Sequence, residues 1–410
     1  MKKLSIVAAI ATLLIWAACN KESGNMNYSA VPLLPETAYK YVPEDVPNWI
    51  RFAIMPGMAD SSNQTGQSIR VTDAGATLGR VLFYDKAMSL NNSLACGSCH
   101  KQQFAFADPK PLSSGLMPGP TKRNSPHIVN LFDSQNFFWD GRSHDLKEMV
   151  MMPVRDHIEM GFENIENLPK KLNQLDYYAP LFTDAFGDAN ITTDRIAIAL
   201  TQFVKSIISY NSPYDRQMNG SGSLSSIELE GKRLFFEKYN CGGCHVGNNF
   251  GAGYSDGVAN IGLDVNPTDK GAEKEVFVFT GGDIIDDFND GMVPNVFVPT
   301  GDGINDQFDM SGFETRMITG AFKIAPLRNV ALTAPYMHDG RFKTLEEVIE
   351  HYSTGIKANP SLDARLEGFE QNGGMHISDF EKKALVAFLN SLTDYSIVNE
   401  PRFSDPFVVK

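Results

Sequence analysis

The five-residue unit Cys-x-x-Cys-His occurs twice in the chain, as CGSCH at residues 96–100 and CGGCH at residues 241–245. Such a unit can be half of a zinc site, a redox dithiol, or the attachment point of a c-type haem. Zinc wants two Cys-x-x-Cys pairs at close spacing, and here 145 residues separate Cys96 from Cys241. A dithiol has no use for the histidine that follows each pair. Haem c uses all three residues, two thiols bonding the porphyrin vinyl groups while the adjacent imidazole binds iron as proximal ligand. The sequence therefore predicts two covalently bound haem c groups, one on Cys96, Cys99 and His100 and one on Cys241, Cys244 and His245. The two units stand at the starts of two mostly helical domains.

The N-terminus, MKKLSIVAAIATLLIWAACN, has a lysine pair followed by an apolar run from Leu4 to Ala18 that ends in small residues before Cys19. That run is short for a bilayer span, which takes about 20 apolar residues, and it reads as a cleaved export signal over residues 1–19. Its ending is similar to the lipobox of bacterial lipoproteins, so Cys19 is expected to carry a lipid anchor in the periplasm or cell envelope. With Cys19 taken, the other four of the five cysteines all fall in the two haem units and none is left for a disulfide. The net charge of -13 argues against nucleic acid or an anionic lipid surface as partner and leaves a small basic redox protein open. Membrane contact is expected through the anchor alone.

A chain of 410 residues with 42% hydrophobic residues and 27 Phe can fill two cores. Proline-containing residues 20–65 read as a tether. The first domain is expected over 66–218, where TDAGATLGRVLFYD reads as a helix entering the first haem unit. A second helix carries the stripe Ile196, Leu200, Val204, Ile207 and Ile208 and stops at Asn211-Ser212-Pro213. The flexible NGSGSLSS then leads into a second domain over 219–398. In that domain IELEGKRLFFEKYN reads as a helix, and capping boxes stand at Thr344/Glu347 and Ser378/Glu381. The predicted fold class is all-α, two cytochrome c-like haem domains, with an irregular or β-rich insert at 275–312. Part of the insert, VFVPTGDGINDQF, resembles a segment common in Bacteroidetes surface proteins. Its Asp302, Asn305, Asp306 and Asp309 read as a solvated acidic turn ahead of a calcium site.

From Leu78 to Thr393, leaving out the insert, the chain resembles the bacterial dihaem cytochrome c peroxidase and MauG family, in a lipoprotein form similar to Bacteroidetes members. The resemblance rests on LGRVLFYD, RNSPHIVN, FFWDGR, MPVRDHIEMGF, NSPYDR and APLRNVALTAPYMHDGRFKTLEEVIEHY, together with the two haem units. It implies that the first haem is peroxidatic and the second transfers electrons. It places Trp139 between the haems and Glu159 as the distal acid, although alone these would read as a core aromatic and a surface carboxylate. It also implies a calcium ion bound by Asn124, Thr333 and Pro335, the last two through backbone carbonyls.

Two departures from the pattern matter. Where activation-dependent peroxidases carry a ligand histidine before RNSP, this chain has Leu116, so the first iron is expected to be open, with Met117 and the more distant His127 as other candidate ligands. Met149 replaces the family's glutamine beside the distal acid. At the second haem, the position fourteen residues after His338 is Tyr352 rather than methionine, the choice of MauG-type proteins, with Met337 as the alternative ligand. The expected function is reduction of hydrogen peroxide to water with electrons from a small periplasmic donor such as a cytochrome c or cupredoxin. The other readings are MauG-like oxidation of an aromatic residue in a partner protein, and a plain electron carrier. A homodimer is left open.

Overall fold

In the computed structural model the described residues are 28–42, 50–51, 69–116, 119–134, 136–252, 257–279 and 313–409. The expected signal segment with Cys19, most of the expected tether, Met117, and the insert from residue 280 to 312 with its four acidic-turn residues lie outside them. Among the described residues no helix is long and apolar enough to cross a membrane.

The molecule builds one helix crossing twice. Helix α1 (Asp73–Tyr84) starts where the Thr72 hydroxyl accepts the Gly75 N–H at 3.0 Å, and it buries Ala76, Leu78, Val81 and Phe83. It lies against α3 (Thr193–Ser206), which is capped by Thr192, while α2 (Tyr178–Phe186) also touches α1. In the second half, α4 (Ser226–Arg233) runs into a π-helical turn, Leu234–Lys238. It packs against α6 (Asp379–Ser391), and the short α5 (Leu345–Glu350) precedes α6.

The two crossings share their contact residues. A Cβ on Gly79 would run into the Ala199 carbonyl, and one on Gly231 would run into the Ala384 carbonyl. One turn further on, Phe83 meets Phe203 and Phe235 meets Phe388, each pair with centroids 5.2 Å apart. The pattern Gly-x-x-x-Phe against Ala-x-x-x-Phe thus occurs in both halves.

Gly79→Ala tests this close approach. Within a helix that exchange normally stabilises, by up to about 1 kcal/mol. Here the added methyl meets fixed backbone, and overpacking of this kind costs about 1–3 kcal/mol. The expected outcome is a lower urea midpoint at unchanged m value. An equal or higher midpoint would mean that the helices separate without penalty.

The all-α expectation needs one correction. Strands β1 (Val258–Ala259), β2 (Ala272–Phe279) and β3 (Phe313–Lys323) form an antiparallel sheet in the order β1-β3-β2. Phe279 pairs with Phe313, and Val258 with Lys323. The two long strands are rich in β-branched and aromatic residues, but residues 280–312 separate them, so no short turn signal announces the pairing.

The expected domain limits also shift. Residues 28–42, expected to be tether, are held against the first core: Tyr41 is fully buried, Lys40 pairs with Asp73, and Tyr28 bridges to Val408. The C-terminal stretch, which runs on past the expected second-domain limit at residue 398, packs on the first core. Phe403 packs edge-on to Phe106 and Phe203, Arg80 donates to the Pro401 carbonyl, and Gln102 donates to those of Ile397 and Glu400. Aromatic residues of both termini fill gaps around α1, contacts that no local pattern could announce.

Candidate functional site

The second Cys-x-x-Cys-His unit follows closely on its entering helix, the first forms a short helical turn of its own after residues 85–95, and both are shaped by the same devices. Gly97 lies under the Tyr84 ring and Gly242 under the Phe236 ring, where a Cβ would come within 2.5 and 2.6 Å of ring carbon, so glycine fits directly after the first cysteine of each unit. His100 Nδ1 lies 2.9 Å from the Phe106 carbonyl, and His245 Nδ1 lies 3.0 Å from the Phe250 carbonyl. Burial lowers the pKa of both imidazoles and so favours their neutral forms. A carbonyl only accepts, so Nδ1 carries the proton in each ring and Nε2 is left as the metal-binding nitrogen. Phe106 and Phe250 both hold positive φ, 62° and 51°, a rare conformation for a bulky residue that aims each carbonyl back at its histidine.

The four thiols are unpaired by disulfides, and burial pushes Cys96 and Cys241 up to about 12. A working dithiol has a depressed pKa instead, so these thiols do not fit that role. Among the described residues no group of three or more His, Cys, Asp or Glu is arranged to hold a metal ion.

The first unit opens onto a cavity of about 840 Å³ lined by Cys96, Cys99, His100, Trp139, Met149 and Glu159. Phe83, Leu94, Phe137, Val150 and Leu200 make much of the remaining wall apolar. Thiols, an imidazole with its outer nitrogen held, and apolar walls suit a flat macrocycle with iron at its centre.

Glu159 enters this cavity from the turn after a short helix, Met152–Arg155. Asp156 fixes that turn, its carboxylate accepting the Ile158 N–H at 2.7 Å. Burial, with a smaller push from Asp156, raises the Glu159 carboxyl to about 7. Its carboxylate makes no hydrogen bond among the described residues.

Leu116 lies beside this turn, its N–H donating to the Ile158 carbonyl at 2.6 Å and its side chain against Gly161. It contributes no ligand atom. His127 lines the cavity, but its Nε2 bonds the Pro326 carbonyl at 3.2 Å and burial lowers its pKa to about 4.

Trp139 joins the halves. Its indole N–H donates to the Asn124 carbonyl at 2.8 Å, and the Asn124 N–H donates to the His338 carbonyl at 2.7 Å. The turn carrying Trp139 has a counterpart: the bridge Phe137–Ser143 matches Tyr336–Phe342, Phe138 and Met337 both have positive φ, and so do Gly141 and Gly340. His338 therefore occupies in the second half the place of Trp139 in the first. The shared Asp-Gly-Arg of FFWDGR and YMHDGR is the sequence signal of this repeat.

The calcium expected from the resemblance would draw on oxygens of Asn124, Thr333 and Pro335. The Asn124 side chain donates from Nδ2 to the Lys110 carbonyl, which leaves Oδ1 unused. The carbonyls of Thr333 and Pro335 accept no hydrogen bond among the described residues. Such donors suit calcium.

Tyr352 lies in a second π-helical turn, His351–Gly355, after the Thr344/Glu347 capping box forms as expected. Burial raises its pKa, and the thiols of Cys241 and Cys244 are near enough to raise it further. Its hydroxyl has no hydrogen-bond partner among the described residues. Met337, the alternative ligand, sits in the tight turn just before His338.

Residues 73–223 match the family model described as di-haem cytochrome c peroxidase. The chain is 29% identical over 320 residues to the methylamine utilization protein MauG of Methylophilus methylotrophus, covering 77% of this chain and 82% of that one. It is 30% identical over 325 residues to a cytochrome-c peroxidase of Denitromonas iodatirespirans, covering 77% and 80%. Among solved structures, a MauG-like protein associated with microbial copper homeostasis superposes with a TM-score of 0.66 at 28% identity, over 89% of this chain and 99% of that one.

Proposed function

This chain belongs to the dihaem cytochrome c peroxidase and MauG family, and from that premise we propose that it reduces hydrogen peroxide to water with electrons from a small redox protein. The family makes it an oxidoreductase with two haem c groups. In this reading Cys96, Cys99 and His100 hold one haem, and Cys241, Cys244, His245 and Tyr352 hold the other. Bound in the cavity, the first haem supplies an iron that peroxide can approach and that accepts oxidising equivalents.

The residues do the rest. Glu159, with no competing hydrogen bond, takes the proton from the peroxide oxygen nearer the iron and returns it to the departing one, which leaves as water. His100 is kept in its iron-facing tautomer by the Phe106 carbonyl. Trp139, fixed between Asn124 and the strand end at Lys323, lies on the route for electrons arriving from the second half. A calcium ion on Asn124, Thr333 and Pro335 would stiffen that junction. We place the enzyme in the periplasm or cell envelope, anchored at Cys19, with a cytochrome c or cupredoxin as donor.

The observation that carries this reading is a carboxyl with a pKa near 7 in the same cavity as Cys96, Cys99 and His100. A plain electron carrier gains nothing from it. MauG-like oxidation of an aromatic residue in a partner protein is the second reading, favoured by Tyr352 beside Cys241 and Cys244. Anaerobic mixing of the holoenzyme with peroxide and reduced small cytochrome c tests the choice. The expected outcome is oxidation of two cytochromes per peroxide consumed. Consumption of peroxide without cytochrome oxidation would contradict it.

A further inference from the structure

The lining of the first cavity is unbalanced in a way the reaction above does not use. Asp140, Asp156, Glu159 and Asp269 face it. Of the cations there, Arg123 is bound to Asp140 and Asp269, Arg142 to Asp140, and Lys270 to Glu273, while Lys122 is exposed to solvent. Lys323 also lines the cavity and has no acidic partner among the described residues.

Its position is fixed by backbone. Lys323 is the last residue of β3, its N–H donates to the Trp139 carbonyl at 2.6 Å, and its ammonium lies 5.9 Å from the centre of the Phe137 ring. Burial alone lowers its pKa to about 8. Its charge reaches the neighbouring His127, whose buried Nδ1 has no hydrogen-bond partner. An ammonium withdrawn from water without a counter-ion is unfavourable, and proteins pair such groups. A porphyrin with two carboxylate arms brings the missing charge into this cavity, where both arginines are already paired and Lys122 stands exposed to solvent.

We propose that Lys323 is the counter-ion of a propionate of the first haem. The pair anchors the macrocycle at the corner where the sheet meets the Trp139 turn and so couples the haem's orientation to the junction. The proposal rests on the haem in this cavity and not on the reaction, since a MauG-like oxidase would hold the same porphyrin.

Lys323→Met removes the charge at similar length, and Lys323→Arg retains it. Both holoproteins are titrated spectroelectrochemically, with the two Soret bands confirming that both haems are attached. In Lys323→Met the ferric-to-ferrous ratio of the first haem is expected to rise about tenfold at a given potential, a downward shift of ~59 mV for one electron. The second haem should stay in place, and Lys323→Arg should match the native protein. An unshifted first haem, or equal shifts of both haems, would overturn the proposal.

Should Lys323→Met not accumulate, ¹³C-ε-lysine NMR of the native, reduced, carbon monoxide-bound protein decides the same question, with Lys323→Arg assigning the signal. A paired Lys323 titrates above about 10, and titration near 8 would refute the pairing. Loss of peroxide reduction with these results intact would instead sink the reaction and leave the pairing standing.

Discussion

Glu159→Gln is expected to lower kcat/KM for peroxide by about a hundredfold or more, the usual scale for a lost general acid-base group. The amide keeps the shape of the side chain but can no longer pass a proton from one peroxide oxygen to the other. Because the native carboxylate makes no hydrogen bond among the described residues, the exchange breaks no structural bond, and stability should be nearly unchanged. The pH profile supplies an independent readout. Burial, with Asp156, raises the Glu159 pKa to about 7, and the form that accepts the first proton is the ionised one above that value. The native kcat/KM should therefore rise through about pH 7 and level off, and Glu159→Gln should flatten that limb. Stopped-flow measurement from pH 5 to 9 checks both points. A variant with an unchanged rate, or one that keeps the limb, would remove Glu159 from the proton path.

Tyr352→Met is expected to raise the midpoint potential of the second haem by about 0.1 V or more, since axial ligands move haem potentials over a range of about 0.8 V. Burial and the nearby Cys241 and Cys244 thiols disfavour a phenolate at this position. A bound ferric iron supplies the positive charge that reverses this preference, and a phenolate in turn favours the ferric state. A thioether does not, so the potential rises. Turnover with reduced cytochrome should persist, because electrons still pass through the second haem, while any oxidation of aromatic residues in a partner should weaken. If Met337 were the true ligand, Tyr352→Met would leave the second haem's spectrum unchanged, and Met337→Leu would alter it. Spectroelectrochemical titration of both variants separates the cases.

The two Cys-x-x-Cys-His units are legible in sequence because their chemistry is local: five consecutive residues hold the thiols and the imidazole. The capping boxes at Thr344 and Ser378 are equally local and form as expected. Glu159 and Trp139 needed the motif context, and the structure adds what context could not, the raised carboxyl pKa and the indole bond to Asn124. Contacts between residues far apart in sequence could not be read. The return of Phe403 and Phe407 to the first core, the pairing of β2 with β3 across residues 280–312, and the seating of Tyr41 on α1 all depend on shape rather than pattern. The duplicated turns of Trp139 and His338 lay between these extremes, visible as a shared Asp-Gly-Arg but meaningful only once their matching backbone geometry is seen.

The central claim is that the first iron is open to peroxide beside Glu159 because Leu116, packed on Gly161, supplies no ligand there. Rapid mixing of the fully oxidised protein with one equivalent of peroxide, without prior reduction, tests it most directly. The expected result is an immediate change in the first haem's Soret band, with a rate that rises in proportion to peroxide concentration. No change until one electron has been added would show that a ligand blocks the iron, and would contradict the claim.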